Sequence, residues 1–180
     1  KGEAGMKRQR MVWVVAVATM VLAGGCSRQS RPGEYRTREH GFGIIPPAGW
    51  ETQEGTGMPG VAFLSPPQGP GDMFRENVNV VVEKLPSAMT TEEYAKACSD
   101  MMAIGMTDFR SVSETAVEVN GRTAMRYVST YRVGSNDIKA ISYLTAKGKK
   151  GYVITCTALP NSFDEFEKTF EECCRTFMVD

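Results

Sequence analysis

The chain has 180 residues, with 21 Lys and Arg, 21 Asp and Glu and one His, so its formal net charge is zero. Apolar residues make up 42% of the sequence, which is typical of a folded domain and excludes a largely disordered chain. The balanced charge favours neither nucleic acid nor an anionic membrane surface as a partner.

An apolar segment close to the first residue has the pattern of an export signal. Lys7, Arg8 and Arg10 precede residues 11–23, which carry no charge, and small residues follow. This apolar run is shorter than the about 20 residues that a membrane-spanning helix needs. We therefore predict that residues 1–25 are a signal peptide.

The segment ends in Cys26, and residues 22–26 read Leu-Ala-Gly-Gly-Cys. This ending resembles the bacterial lipobox, although Ala23 stands where Leu is commonest. The resemblance implies cleavage before Cys26 and lipidation of its thiol, and more than one acyl chain anchors a small domain stably. The expected partner is thus the cell membrane or the outer membrane, on the side away from the cytoplasm. A secreted protein with an incidental Cys26 and an uncleaved anchor are the alternatives.

The residues after the predicted cleavage site divide into a tether and a domain. Without residues 1–25, the chain keeps 17 basic and 20 acidic residues. Residues 26–40 are polar and lack apolar periodicity, which predicts a flexible tether. A basic patch on lipid headgroups is the alternative, but Glu34 and Glu39 weaken it. Residues 41–180 are expected to form one α+β domain.

The first part of this domain reads as short strands separated by turns. Strands are predicted over residues 42–45, from residue 49 onward and over residues 61–64. Residues 68–72 are a mobile loop by composition. Residues 77–83 alternate between apolar and polar, and this predicts a strand with Val78, Val80 and Val82 on one face.

A helix is predicted from Thr90 to about residue 106. Thr90 and Glu93 have the spacing of a capping box, in which each side chain bonds the other residue's backbone N–H. The expected apolar stripe comprises Tyr94, Ala97, Cys98, Met101 and Ile104.

Four strands with short turns follow the helix. They are predicted over residues 112–119, 123–133, 138–146 and 152–159, and Asn120-Gly121 is a strong hairpin signal between the first two. Consecutive strands joined in this way favour an antiparallel meander.

A second helix is predicted after the last strand. Ser162 and Glu165 have capping-box spacing, and five acidic residues of this helix are expected to face solvent. Phenylalanines and cysteines form an apolar stripe at offsets of three, four and seven residues, which suits a helix laid on a sheet. The stripe comprises Phe163, Phe166, Phe170, Cys173 or Cys174, and Phe177.

Four cysteines remain after Cys26: Cys98, Cys156, Cys173 and Cys174. They allow three pairings, and the sequence does not choose among them. An exported domain permits disulfides, and Cys98 would reach Cys173 or Cys174 if the two helices packed together. The favoured interpretation is that the four cysteines are small buried thiols that fill the core.

Three segments carry a resemblance to a known family. They are residues 42–50 (Phe-Gly-Ile-Ile-Pro-Pro-Ala-Gly-Trp), residues 119–127 (Val-Asn-Gly-Arg-Thr-Ala-Met-Arg-Tyr) and residues 152–158, before the Phe-rich helix. In their order they resemble the PsbP-like superfamily, which includes DcrB-type bacterial lipoproteins. The resemblance implies an antiparallel sheet flanked by helices, an αβα sandwich. It also implies a non-enzymatic domain with no catalytic residues to carry over.

The residues themselves give little sign of catalysis. His40 is the only histidine, so a Ser-His or Cys-His pair would have to use it. No Cys-x-x-Cys is present, and no glycine-rich phosphate loop follows a strand. We therefore expect no enzyme activity, no cofactor and no metal site.

The sequence is compatible with three functions. The first is a lipid-tethered module that docks or assembles an envelope protein. The second is a carrier or sensor of a small apolar ligand, suggested by the methionines and aromatic residues beside a sheet. The third is a hydrolase that uses a Ser or Cys without help from a histidine.

Overall fold

In a computed structural model of the chain, residues 33–55 and 59–180 are described, and they form ten strands and two helices. The predicted signal peptide and Cys26 lie outside the described residues. The elements in chain order are β1 (Tyr35–Thr37), β2 (Phe42–Ile44), β3 (Glu51–Glu54), β4 (Gly60–Leu64), β5 (Asn77–Lys84), α1 (Thr91–Gly105), β6 (Thr107–Val119), β7 (Arg122–Val133), β8 (Asn136–Lys147), β9 (Lys150–Ala158), α2 (Phe163–Arg175) and β10 (Met178–Val179).

Seven of these strands form one antiparallel sheet in the order β3-β4-β5-β9-β8-β7-β6. The predicted meander is confirmed, because β6 to β9 are consecutive neighbours. Asn120 and Gly121 both have positive φ, 48° and 73°, as a two-residue hairpin of this type requires. The pairing of β5 with β9 joins the meander to the earlier strands.

The two helices cover opposite faces of this sheet. Phe163, Phe170 and Cys174 of α2 lie in one buried cluster with the β5 valines, so the predicted alternation of β5 is confirmed. Tyr94 and Cys98 of α1 belong to a second cluster, which includes sheet residues of the other face. The fold is thus the predicted α+β sandwich, with one helix on each side of an antiparallel sheet.

A small sheet in the order β1-β2-β10 lies beside α2. The flexible tether was predicted to extend to residue 40, but β1 of this sheet lies within that range. Tyr35 is buried, with its ring centroid 5.9 Å from that of Phe42 and 5.7 Å from that of Phe63. Burial of one large aromatic side chain favours the ordered strand over a polar coil. The folded domain therefore includes residues before 41.

Helix α1 begins with the predicted capping box. The Glu93 N–H donates to Thr90 Oγ1 (3.1 Å), and the Thr90 N–H donates to Glu93 Oε2 (2.9 Å). The predicted apolar stripe is only partly correct. Ala95 is buried while Ala97 is exposed, and Ile104 is 83% exposed. Only the first half of α1 packs against the sheet. The residues in its last turns therefore do not need to be apolar on the side that faces the sheet.

Helix α2 has no capping box, contrary to the prediction. Ser162 has helical backbone angles, φ −101° and ψ −12°, and its side chain makes no cap bond. A capping residue needs an extended backbone for its hydroxyl to reach the N–H groups of the first turn. The Ser162 hydroxyl donates instead to Glu76 Oε1, at 2.8 Å. The predicted outward position is also wrong for Glu171, which is mostly buried beside Arg126.

Candidate functional site: an apolar end of the sheet

A group of apolar side chains is exposed at the end of the domain where α1 stops and β6 begins. Phe74, Met106 and Phe109 are half-buried and pack against one core cluster, formed by Tyr131, Ile138 and Ala140. Met73 and Ile104 lie next to them in the chain and are 95% and 83% exposed. We call Met73, Phe74, Ile104, Met106 and Phe109 the apolar end.

The side chain of Asp72 holds the loop before β5 in a conformation that exposes Met73 to solvent. Its carboxylate accepts from the backbone N–H groups of Gln68 (2.9 Å) and Phe74 (3.1 Å). The Asp72 N–H in turn donates to the Gly69 carbonyl at 3.2 Å. Short polar side chains organise turns by such bonds to nearby backbone. The loop that composition alone described as mobile is therefore closed on Asp72, with Phe74 turned inward and Met73 outward.

The start of β6 completes the apolar end through a local irregularity. The register between β6 and β7 shifts between Thr107 and Arg110, and Asp108 has a positive φ of 55°. Such a bulge re-aims side chains along a strand. It turns Phe109 toward the Tyr131 cluster, and a second shift follows beside Val112, which is 62% exposed.

Charged side chains surround this surface. Arg132 binds Asp108 at 3.1 Å and Asp137 at 2.9 Å. On the loop side, Arg75 binds Glu51 at 2.7 Å. An apolar centre within a polar rim is the usual composition of a protein docking surface. Where exposed apolar side chains form a contiguous patch on a soluble domain, the patch usually marks a binding site.

A small pocket opens at the opposite end of the sheet, beside the β6–β7 hairpin. Its volume is about 160 Å³, and its lining includes Val119, Ala124, Ile154, Phe177 and Val179. Sites for drug-sized ligands usually measure about 300–1,000 Å³. This pocket is too small to enclose such a ligand.

Two polar networks, one buried and one mostly buried, tie α2 to the rest of the domain. Glu76 is buried and accepts from Ser65 Oγ (3.2 Å) and Ser162 Oγ (2.8 Å), at the first turn of α2. Glu171 of α2 binds Arg126 at 2.6 Å and also accepts from the Tyr143 hydroxyl. Each polar side chain named here has a hydrogen-bond or ion-pair partner within the fold. Both networks therefore suit a structural role.

The candidate nucleophiles are poorly placed for catalysis. Burial raises the pKa of Cys98 to about 12, and burial also raises the pKa of Cys173. A thiol needs a lowered pKa to act as a nucleophile at neutral pH. His40 makes its described hydrogen bonds through its backbone: its carbonyl accepts from Lys150 Nζ at 3.2 Å.

The described part of the chain comprises residues 33–55 and 59–180. Within these ranges, no group of three or more His, Cys, Asp or Glu side chains is arranged to hold a metal ion. None of the helices in the same ranges has the length and apolar character to cross a membrane.

The apolar end was not predicted from the sequence. The exposed Met73 and Ile104 have no distinctive pattern in the sequence, since Ile104 fits the helical stripe. The pair Met73-Phe74 after Gly-Pro-Gly-Asp was the available signal, because two large apolar residues are unusual directly after a polar turn. Cys26, the site predicted from the sequence, lies outside the described residues and stays a prediction.

Comparisons with known proteins support the fold. No family model matches the chain, and no curated protein sequence matches it. Among solved structures, cyanobacterial PsbP (CyanoP) from Synechocystis sp. PCC 6803 superposes with a TM-score of 0.59 at 17% identity, covering 91% of this chain and 99% of that one. The chain therefore has a PsbP-like fold, as the resemblance implied.

Two other solved structures share this fold. LpqN of Mycobacterium tuberculosis, described as involved in cell envelope biogenesis, has a TM-score of 0.59 at 11% identity, covering 83% of this chain and 86% of its own. The Ran-binding protein Mog1p of Saccharomyces cerevisiae has a TM-score of 0.53 at 12% identity, covering 81% of this chain and 94% of its own. At these identities the likeness extends to the fold alone.

Proposed function

We propose that this protein is a non-enzymatic envelope lipoprotein, anchored through a lipid on Cys26, whose domain docks an envelope protein through the apolar end. The exposure of Met73 and Ile104 carries this proposal, because no residue of the described domain covers them. The structural likeness to LpqN, whose description places it in cell envelope biogenesis, supports the same setting. The partner is expected to present a matching apolar surface with a polar rim.

Position-specific cross-linking tests this proposal. A photoreactive amino acid placed at Met73, or at Ile104, is expected to capture one discrete protein in native membranes. The matched control carries the same amino acid at Lys168, whose side chain is 86% exposed on α2. The control should capture no such protein, because α2 lies on the other face of the sheet.

Three further variants separate the docking surface from the anchor. Met73→Ser and Ile104→Ser should each reduce recovery of the partner, while changes at exposed sites alter stability by only about 0.5 kcal/mol or less. Cys26→Ser should remove the protein from the membrane fraction and reduce capture. The same captured protein from Lys168, or no capture from either apolar position, would contradict docking through this end.

The alternative function, a carrier or sensor of a small apolar ligand, would use the pocket beside the β6–β7 hairpin. Its volume of about 160 Å³ is below the usual range for such ligands, and a second depression beside the same hairpin, of about 300 Å³, is lined mostly by polar residues such as Thr91, Glu92 and Arg122. Both observations favour the docking role over this alternative.

A further inference from the structure

Two cysteine side chains meet in the core between α2 and the main sheet. The Sγ atoms of Cys156 and Cys174 are 3.4 Å apart, and both residues are fully buried. Cys156 lies on β9, beside Val78 on one neighbouring strand and Ile141 on the other. Cys174 lies in the last turn of α2, so the two sulfur atoms face each other across the contact between helix and sheet.

The other described cysteines are placed differently. Cys98 belongs to the cluster under α1, on the opposite face of the sheet. A bond from Cys98 to Cys173 or Cys174, which the sequence left open, would have to pass through the sheet and is excluded. Cys173 is buried beside Cys174 in the chain, but a bond between chain neighbours is strained.

We propose that Cys156 and Cys174 form a disulfide that fastens α2 to β9. The proposal rests on the export proposed above, since thiols of cytoplasmic proteins stay reduced. A disulfide holds its two sulfur atoms about 2.05 Å apart, so the pair needs to close by little more than about 1 Å.

The chemistry requires a disulfide-bearing oxidant, such as an oxidoreductase in its disulfide form or oxidised glutathione. The thiolate of one cysteine attacks a sulfur of the oxidant, and the first thiol of the oxidant leaves. The thiolate of the other cysteine then attacks this mixed disulfide and releases the second thiol. The protein loses two protons and two electrons, and the oxidant is reduced to two thiols.

The surroundings of the pair indicate when this exchange takes place. Burial raises the pKa of Cys156 well above its ordinary value, so the thiolate needed for exchange is scarce in the folded domain. An oxidant also has no path to a fully buried sulfur. The bond therefore forms before α2 packs onto the sheet, and the closed fold then shields it from reductants.

Refolding of the purified full chain tests this inference. The chain is reduced, unfolded in guanidinium and refolded with oxidised glutathione, and free thiols are then alkylated and mapped by mass spectrometry. The expected result is one peptide pair joined through Cys156 and Cys174, with Cys98 and Cys173 alkylated. The folded, reduced chain should resist the same oxidant unless urea is added.

Matched variants decide between the neighbouring cysteines. Cys173→Ser should still form the bond, whereas Cys174→Ser should leave Cys156 alkylated. The bond closes a loop between residues 18 positions apart, which should raise the folding equilibrium constant on the order of a hundredfold in the oxidised form.

Alkylation of both Cys156 and Cys174 after oxidative refolding of the wild-type chain would overturn the proposal, and this readout needs no variant that folds poorly. Equal urea midpoints for the oxidised and reduced chain would overturn the claim that the bond fastens α2. Because the test supplies the oxidant, its outcome does not depend on export or docking. Failure of the disulfide and failure of the proposed function are therefore distinguishable.

Discussion

At the scale of single residues, Asn120 has two separate tasks. It occupies a hairpin position with a φ of 48°, which Asn tolerates better than most residues. Its side-chain amide also donates to the carbonyls of Arg175 (2.9 Å) and Phe177 (2.8 Å). The last carbonyls of a helix lack partners within the helix, so this amide satisfies the end of α2 from the hairpin.

Asn120→Asp should therefore destabilise the domain although it suits the turn. The carboxylate cannot donate, and it faces the negative end of the α2 dipole, so we expect a loss of about 1–3 kcal/mol. Urea unfolding monitored by circular dichroism measures this loss. Asn120→Gly is the matched control, since it keeps the positive φ and removes the amide without adding charge. Equal losses in both variants would show that the charge beside the helix end is unimportant.

At the scale of elements, the contact between α1 and the sheet depends on one glycine of β9. A Cβ atom added at Gly151 would lie 2.3 Å from the ring of Tyr94, which is closer than any side-chain contact allows. Glycine within a strand often marks such a close approach. The Tyr94 hydroxyl donates to Glu83 at 2.9 Å, so the ring is held directly above Gly151.

Gly151→Ala should displace the first half of α1. Forcing a methyl group into a packed contact costs about 1–3 kcal/mol of folding free energy. The same change in a Tyr94→Ala background should cost less, because the ring is no longer there. A double-mutant cycle from urea unfolding measures this coupling between Gly151 and Tyr94. Additive losses would contradict the contact.

At the scale of the whole molecule, the proposed anchor and the start of the fold are close in the chain. Six residues lie between Cys26 and Gly33, the first described residue, so the two are joined by seven residue-to-residue steps. Fully extended, they span at most about 25 Å. A domain of this size is wider than that span. A lipid on Cys26 would therefore hold the domain against the membrane, and its docking partner would have to lie close to the bilayer.

A longer tether should weaken docking in the cell. Inserting a flexible Gly-Ser spacer of about 20 residues after Ser27 lowers the effective concentration of the domain near its partner, and capture from Met73 should fall several-fold. The yield of the cross-link in native membranes measures this change. The same insertion in a Cys26→Ser chain is the control and should have no effect. An unchanged yield in the anchored chain would contradict a partner near the membrane.

Local patterns in the sequence were sufficient to predict most of the sheet. The alternation of Val78, Val80 and Val82, the Asn120-Gly121 turn and the box of Thr90 with Glu93 each depend on a few neighbouring residues. These interactions are short in range, so their signal is present in the sequence itself.

The features that were missed depend on partners far apart in the chain. Ser162 bonds Glu76 instead of capping its own helix, and Tyr35 is buried by Phe42 and Phe63 within what looked like a polar tether. The apolar end requires a bulge at Asp108 and a loop closed by Asp72, neither of which follows from composition. Likewise, only the placement of α2 over β9 brings Cys156 to Cys174.

The three-stranded sheet has a mechanical consequence for an anchored protein. Both the first and the last described strands, β1 and β10, pair with β2, and neither belongs to the seven-stranded sheet. Tension transmitted from the membrane through the chain before Gly33 would act first on β1. It would peel β1 from β2 starting at the pair Tyr35 and Ile44, one hydrogen bond after another. Only three residue pairs hold β1 to β2, so the small sheet would yield first, and the docking end would keep its shape while the attachment stretched.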